Sequence, residues 1–530
     1  MLSNGENKRG TLSYDVCIVG GGVSGLVIAN ELAETGMKIA LVESGGKEYH
    51  QQSQDLYNAN KVDFPFPNTS YTRLRFLGGS SNHWQNNTSP LSPLDFKKRE
   101  GITNSGWPIQ YDEVVPYYSR AELYCGVGND GYSLERWLSA SGMADITASS
   151  SIIETRIAKV PFSPTRFFKQ YGNKLVFNKH VEVITFSNIV DIEFNENTKK
   201  VDRVTFKTLK GNQFLIAANT FIMCLGGIEN PRMLLHFNEK YNNKLGNQSN
   251  AVGRYLMEHP TPRAAHLIAK KTSELDLYLG FKEQQKTISG FCSLTDQTVE
   301  DNATINLRMP FLPQSNYVLS DGISSSHIFS KALSNFELPE DASTHAWNIL
   351  SDIDMVVESI GRKSFDIRLF GHAAETGGYE IPMMMEQTPD KDNRIILSNK
   401  KDALGLSKIN IEYRITDIDK QRLWRSLDIC GREIAKLGFG RLKILKERSL
   451  RLWRDQLGFS AHHIGTTRMS SDPSNGVVNE NSRVFGTNNF YLGGSSVFPT
   501  GGSVPPTLTI VALSIRLAEH IKQGGLSGES

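Results

Sequence analysis

The sequence predicts an α/β protein whose core is a Rossmann-like dinucleotide-binding sheet. Residues 14–43, YDVCIVGGGVSGLVIANELAETGMKIALVE, read as strand, glycine turn, helix and strand. Residues 180–223 hold short alternating runs such as VEVITF, VDIEF and VDRVTF. FIMCLGGIENPRMLL then repeats the pattern of buried strand, glycine turn and helix.

Val16–Val19 and Ile39–Val42 are continuous apolar runs of strand length, as expected of strands buried on both faces. Between them Leu26, Ile28, Ala29, Leu32 and Ala33 recur at helical spacing. A polar, Asn- and Ser-rich stretch then runs to about residue 100 with few regular signals. The runs of 180–223 predict antiparallel strands joined by turns such as NENTKK. Residues 255–450 are mixed and carry no chemical motif defensible on spacing alone. Glycine-rich turns and a final helix near Leu508 to Ile521 close the chain.

At 530 residues the chain exceeds what one core usually holds, so two joined domains are expected. Its 58 basic and 56 acidic residues leave a net charge of +2, no electrostatic case for nucleic acid or an anionic membrane. The five cysteines, Cys17, Cys125, Cys224, Cys292 and Cys430, are scattered without paired spacing, which favours a reducing compartment. The start MLSNGENKRGTLS lacks the apolar run of a secretory signal, and no stretch approaches a membrane span. These features predict a cytoplasmic protein with no membrane partner.

Gly20, Gly22 and Gly25 form G-x-G-x-x-G after a strand and at the start of a helix. The first permits the tight turn, the second lets backbone approach a pyrophosphate, and the third lets helix and strand pack. Glu43 ends the next strand, near the ~20-residue offset at which an acid binds a ribose. Spacing alone leaves FAD and NAD open, and the position at the start of the chain suits FAD. A second candidate is AHHIGTTRMS, residues 461–470, with His462 and His463 side by side. Adjacent residues of an extended segment point in opposite directions, so one metal ion could hardly take both. A base and a core histidine stay open on the residues alone.

Four segments together resemble one family: RFLGGSSNHW (75–84), SGWPI with YDEVVPYY (105–118), GGIENPRMLL (226–235) and HHIGTTRM with YLGGSSVFPTGG and PPTLTIVAL. They are similar to the glucose-methanol-choline (GMC) oxidoreductases, and within them to the bacterial sugar and polyol branch and to pyranose 2-oxidase. The resemblance implies a discontinuous FAD-binding domain, placed here at 13–100, 180–260 and 455–525. It implies an inserted substrate-binding domain built on an antiparallel sheet, placed at 101–179 and 261–454.

The implied reaction takes a hydride from an alcohol carbon to flavin N5 while a base removes the hydroxyl proton. Electrons then pass to oxygen, a quinone or another carrier. The motif H-x-x-G-T places the catalytic base at His462, with His463 as its neighbour, facing the other way and packing or orienting the loop. A neutral base implies a rate that rises through a pKa near ~6.5 or modestly shifted from it. The resemblance assigns Gly79, Ser80, His83, Trp84, Gln85, Gly494, Ser495 and the backbone of Thr507 and Leu508 to the flavin as well. His83 falls where pyranose 2-oxidase bonds its flavin 8-methyl, which leaves a covalent bond and simple packing both open. Gln85 is placed to reach flavin N5 or O4.

One departure stands out. The family carries an Asn or His before the Pro-Thr of the final helix, whereas GGSVPPTLT places Pro505 there. Three readings follow: an FAD-dependent oxidoreductase of a sugar, polyol or glycoside; a natural-product tailoring oxidase; or a flavin-binding protein that has lost alcohol oxidation.

Overall fold

The computed structural model describes all residues except 64–65, 271, 315–319, 335–336, 358–377, 446–452, 454–456 and 525–530. Its central sheet runs in the order Leu2–Asn4, Val181–Thr185, Ile39–Val42, Thr11–Val19, Gln213–Met223, Lys200–Lys207 and Asn188–Asn195, with Phe490–Leu492 also beside Gln213–Met223. Thr11–Val19 lies parallel to both Ile39–Val42 and Gln213–Met223, and helix Val23–Leu32 makes the first crossover. Cys17, Ile18, Ile39, Ala40 and Leu41 are fully buried, as a sheet covered on both faces requires.

One expectation changes. VEVIT, residues 181–185, is a parallel strand of this sheet, not part of an antiparallel meander. Its apparent alternation comes from Glu182, whose carboxylate pairs with Lys8 and accepts from the Tyr14 hydroxyl. The acid serves a local polar cluster, not a solvated face. VDIEF and VDRVTF do form the antiparallel hairpin, with NENTKK at its turn.

Several antiparallel sheets form the remaining layer. Ile153–Pro161 pairs with Lys286–Leu294, and Ala265–Ala269 pairs with both Gly378–Glu380 and Gly440–Ile444. Residues 101–179, expected wholly in the substrate-binding domain, divide in their packing. Helix Tyr111–Cys125 touches the final helix Thr507–Lys522, with 3.0 Å between the Tyr118 and Thr509 hydroxyls. Helix Phe167–Phe177 ends beside the first crossover, where Asn178 donates to the Ala33 carbonyl at 2.9 Å. Only Ile153–Pro161 belongs to an antiparallel sheet. The expected boundary at 454–455 lies outside the described residues.

A buried ion pair joins the layers beside the cavity described next. Both nitrogens of the Arg99 fork donate to the Glu386 carboxylate, and Glu386 is fully enclosed. Glu386 also accepts the Asn306 N–H at 3.3 Å, which fixes the chain before strand Leu307–Arg308. Removing one partner of such a pair strands the other charge in the interior, a cost of about 3–5 kcal/mol. Glu386→Ala should lower the unfolding free energy by that amount in urea titrations. A loss under about 1 kcal/mol would show that the pair is not a clamp.

Candidate active site

The two layers enclose a cavity of about 950 Å³. Gly20, Gly22, Glu43, Gly79, Ser80, His83, Trp84, Gln85, Gly494, Ser495, Thr507, His462 and His463 all line it. Gly25 and Leu508 do not; Leu508 is fully buried behind the wall.

Backbone conformation explains the glycine turn. Gly20 has φ of +110°, and a Cβ on it would meet the Cys224 carbonyl oxygen at 2.5 Å. A Cβ on Gly25 would lie 1.9 Å from the Gly20 carbonyl oxygen, so the helix could not seat. A Cβ on Gly22 meets nothing and would project into open space. The Gly21 N–H donates to Glu43 Oε2 at 2.8 Å, and the Gly45 N–H to Oε1 at 2.8 Å. These bonds hold the acid at the cavity edge. The first turn of Thr507–Lys522 has no side-chain cap, which leaves N–H groups free for a ligand. Trp84 is anchored by its indole N–H to the Thr165 carbonyl at 2.7 Å. His83 stands exposed on the wall, and partial desolvation together with Arg166 holds its pKa below the usual imidazole value.

The setting of His462 is built across two distant segments. Met257 and Ile464 exchange backbone hydrogen bonds of 2.9 and 3.0 Å in an antiparallel bridge. That register sets His259 opposite His462, and their Nδ1 atoms lie 2.9 Å apart. His259 Nε2 lies 3.2 Å from the Gly501 carbonyl oxygen. A carbonyl only accepts, so Nε2 of His259 carries the proton. Burial pushes His259 down to about 4, so the ring is neutral and its Nδ1 accepts. His462 must then donate through Nδ1–H, which leaves the lone pair on its own Nε2. The hydrogen bonds of His462 among the described residues are made by Nδ1 and the backbone N–H, and none by Nε2. Burial, then His259, His463 and Arg308, lowers the His462 pKa well below 6.5. Ala461, immediately before it, holds φ of +58°, a strained conformation of the kind found at functional turns.

His463 is buried, with its ring 5.5 Å from Phe66 and its carbonyl bonded by the Ser495 hydroxyl at 2.7 Å. It packs the loop while contributing to the wall. Pro505 also lines the cavity, so no polar side chain stands there. Glu258 Oε1 accepts the N–H groups of His259 and His462, at 2.9 and 2.6 Å. Burial drives its carboxyl up to about 8 against those bonds. His259, Glu258 and Arg308 all come from the stretch whose sequence carried no defensible motif. A histidine and an acid beside Pro260, flanked by apolar residues, were the available signal. Among the described residues no group of three His, Cys, Asp or Glu is placed to hold a metal ion.

Comparisons with known proteins agree with this geometry. Residues 389–514 match the GMC oxidoreductase family and residues 13–61 an FAD binding domain. The fructose dehydrogenase large subunit of Gluconobacter japonicus is 23% identical over 97% of this chain and 99% of its own. Paromamine 6'-oxidase of Streptomyces fradiae is 23% identical over 96% of this chain and 91% of its own. The crystal structure of pyridoxine 4-oxidase from Mesorbium loti superposes with a TM-score of 0.56 at 15% identity, covering 96% of this chain and 98% of that one, a likeness of fold. The cavity fits FAD: Gly22 faces open space where a pyrophosphate needs close backbone, and Glu43, held by backbone N–H groups, lines the same cavity.

Two outcomes are expected here. Gly22→Val should fold normally and lose FAD, whereas Gly25→Val should fail to fold; FAD content and Tm separate them, and a yellow, stable Gly22→Val would contradict the site. Glu258 has its folded pKa raised from 4.5 to about 8, so its carboxyl is buried neutral. Its stability contribution is therefore fully present below 4.5 and lost as pH rises through about 8. Glu258→Gln has no proton to lose, so the Tm difference, variant minus wild type, should grow across that window and level off above it. A pH-independent difference would show that Glu258 is ionised in the fold.

Proposed function

Because the chain belongs to the GMC oxidoreductases, we propose that it oxidises a CH–OH group of a sugar, polyol or glycoside, with FAD as hydride acceptor and His462 as base. Bound FAD supplies N5 for the hydride and a route for the electrons to oxygen, a quinone or another carrier. His462 takes the hydroxyl proton on Nε2, the nitrogen that its bond to His259 leaves unprotonated. That bond is the observation that carries the reading. It also argues against a flavin-binding protein without alcohol oxidation, since a buried base held in one tautomer is idle in such a protein. Gly21, Gly45 and Ser44 hold Glu43 toward the ribose, and Trp84 with Gln85 bounds the ring end.

Pro505 donates and accepts nothing through its side chain, so His462 is the one dedicated proton acceptor of this reading. The natural-product variant, one hydroxyl of a glycosidic metabolite, is favoured by the likeness to paromamine 6'-oxidase and uses the same residues. For His83 the covalent bond and simple packing are separated by acid precipitation: a yellow pellet means a bond, a yellow supernatant means none. No helix among the described residues is long and apolar enough to cross a membrane. We propose a cytoplasmic location on the reduced state of the five buried cysteines.

Anaerobic mixing with a panel of alcohols, followed on the flavin absorbance band, tests the reading; a band that no sugar, polyol or glycoside bleaches would end it. His462→Ala should slow flavin reduction by about 10² to 10⁴-fold with FAD still bound, and His463→Ala far less. Because burial, the neighbouring His259 and His463, and Arg308 lower the His462 pKa, the acid limb of kcat/KM should fall below pH 6.5, not at it. An acid limb above 6.5 would mean that a different group takes the proton.

A further inference from the structure

Arg308 is the unassigned charge of this cavity. It sits on the two-residue strand Leu307–Arg308, paired with Met384–Met385, and is 7% exposed. Its guanidinium carbon lies 4.8 Å from the centre of the Phe291 ring, and Nη2 donates to Asn87 Oδ1 at 3.2 Å. Nε is buried without a partner. Arg73 and Arg232 share Glu229, and Arg99 holds Glu386; Arg468 is buried without an acid as well, but it does not line the cavity. Arg308 has no carboxylate among the described residues, and the charge nearest in effect, Arg156, has the same sign. Burial and that repulsion pull its pKa down to about 10.

Among the described residues the surrounding wall supplies no anion either. Thr261, Tyr278, Thr287, Ser289 and Met384 line this end of the cavity. The acids on the lining among the described residues are Glu43, Glu229 and Asp402, each already engaged by backbone N–H groups or arginines. The histidines close by are held neutral. Arg308 and His462 line the same cavity, within reach of one small molecule. A buried guanidinium without a counter-charge is costly, and a bound anion removes that cost.

We propose that Arg308 binds an anionic group, a carboxylate or phosphate carried by the substrate, so that the sugar or polyol oxidised here is an acidic one. This rests on the proposed alcohol oxidation and adds the substrate class. The guanidinium fork takes two oxygens of the anion, and the alcohol carbon falls between it and His462.

Matched pairs test it on the holoenzyme: D-glucose against D-glucuronate and D-glucose 6-phosphate, and D-glucitol against D-gluconate. The acidic member should bleach the flavin with a KM at least about tenfold lower, and the carboxylate and phosphate arms tell which anion is read. Arg308→Gln should raise the KM of the acid roughly 100-fold and that of the neutral member far less, with Arg308→Lys recovering part of the loss. Since the change removes an unpaired buried charge, Arg308→Gln should fold with a Tm at or above that of the parent.

Neutral members that bleach the flavin as well as acids, with or without Arg308, would overturn the proposal while leaving alcohol oxidation standing. A kcat loss shared by both members would also overturn it, because Arg308 would then serve the reacting oxygen. If no member bleaches the flavin, the alcohol-oxidation reading fails, and titration with glucuronate, gluconate and inorganic phosphate decides the anion site alone. A saturable change in the flavin band, lost in Arg308→Gln, supports the site; no change in the parent protein ends it.

Discussion

The hydrogen bond between His259 and His462 is the constraint on which the site depends. Separated by 203 residues, the two rings meet because one backbone bridge, Met257 with Ile464, sets the register of their segments. The carbonyl of Gly501 then fixes which nitrogen of His259 carries hydrogen, and the choice passes to His462. A chain of three groups thus converts backbone geometry into a protonation state. Histidine serves here because its two nitrogens can be assigned separately.

The same region concentrates electrostatic cost. Glu258 is buried as a neutral acid beneath the His462 backbone, and Arg308 is buried without a counter-charge. The Arg99–Glu386 pair fixes the chain immediately before Arg308 and so holds that cation against the cavity. Burial, the neighbouring His259 and His463, and Arg308 keep His462 unprotonated, with no carboxylate at its ring among the described residues. An enzyme with a carboxylate behind its base gains basicity. This one gains availability of the lone pair over a wider acid range.

What was legible in the sequence follows the range of each interaction. The nucleotide turn is local: Gly20, Gly22 and Gly25 encode it within six positions, and each glycine's reason is visible in the backbone around it. A base at His462 is an expectation only of the family motif, since two adjacent histidines alone leave several roles open. His259 and Arg308 were not legible, because their chemistry comes from partners brought together by sheet register and layer packing. Glu182 misled the reading of its strand for a related reason: its partners, Lys8 and Tyr14, are far away in sequence. The substrate layer draws on residues whose alternation is weak, and its sheets appear only once distant strands pair.

The tautomer of His462 is the most direct point of attack. Nitrogen NMR of the holoenzyme labelled at histidine, assigned with His462→Asn and His259→Asn controls, reports which ring nitrogen bears hydrogen. The account requires a proton on Nδ1 and none on Nε2 of His462 at neutral pH, with the opposite arrangement in His259. A proton on Nε2 of His462, or an imidazolium at either position, would contradict it.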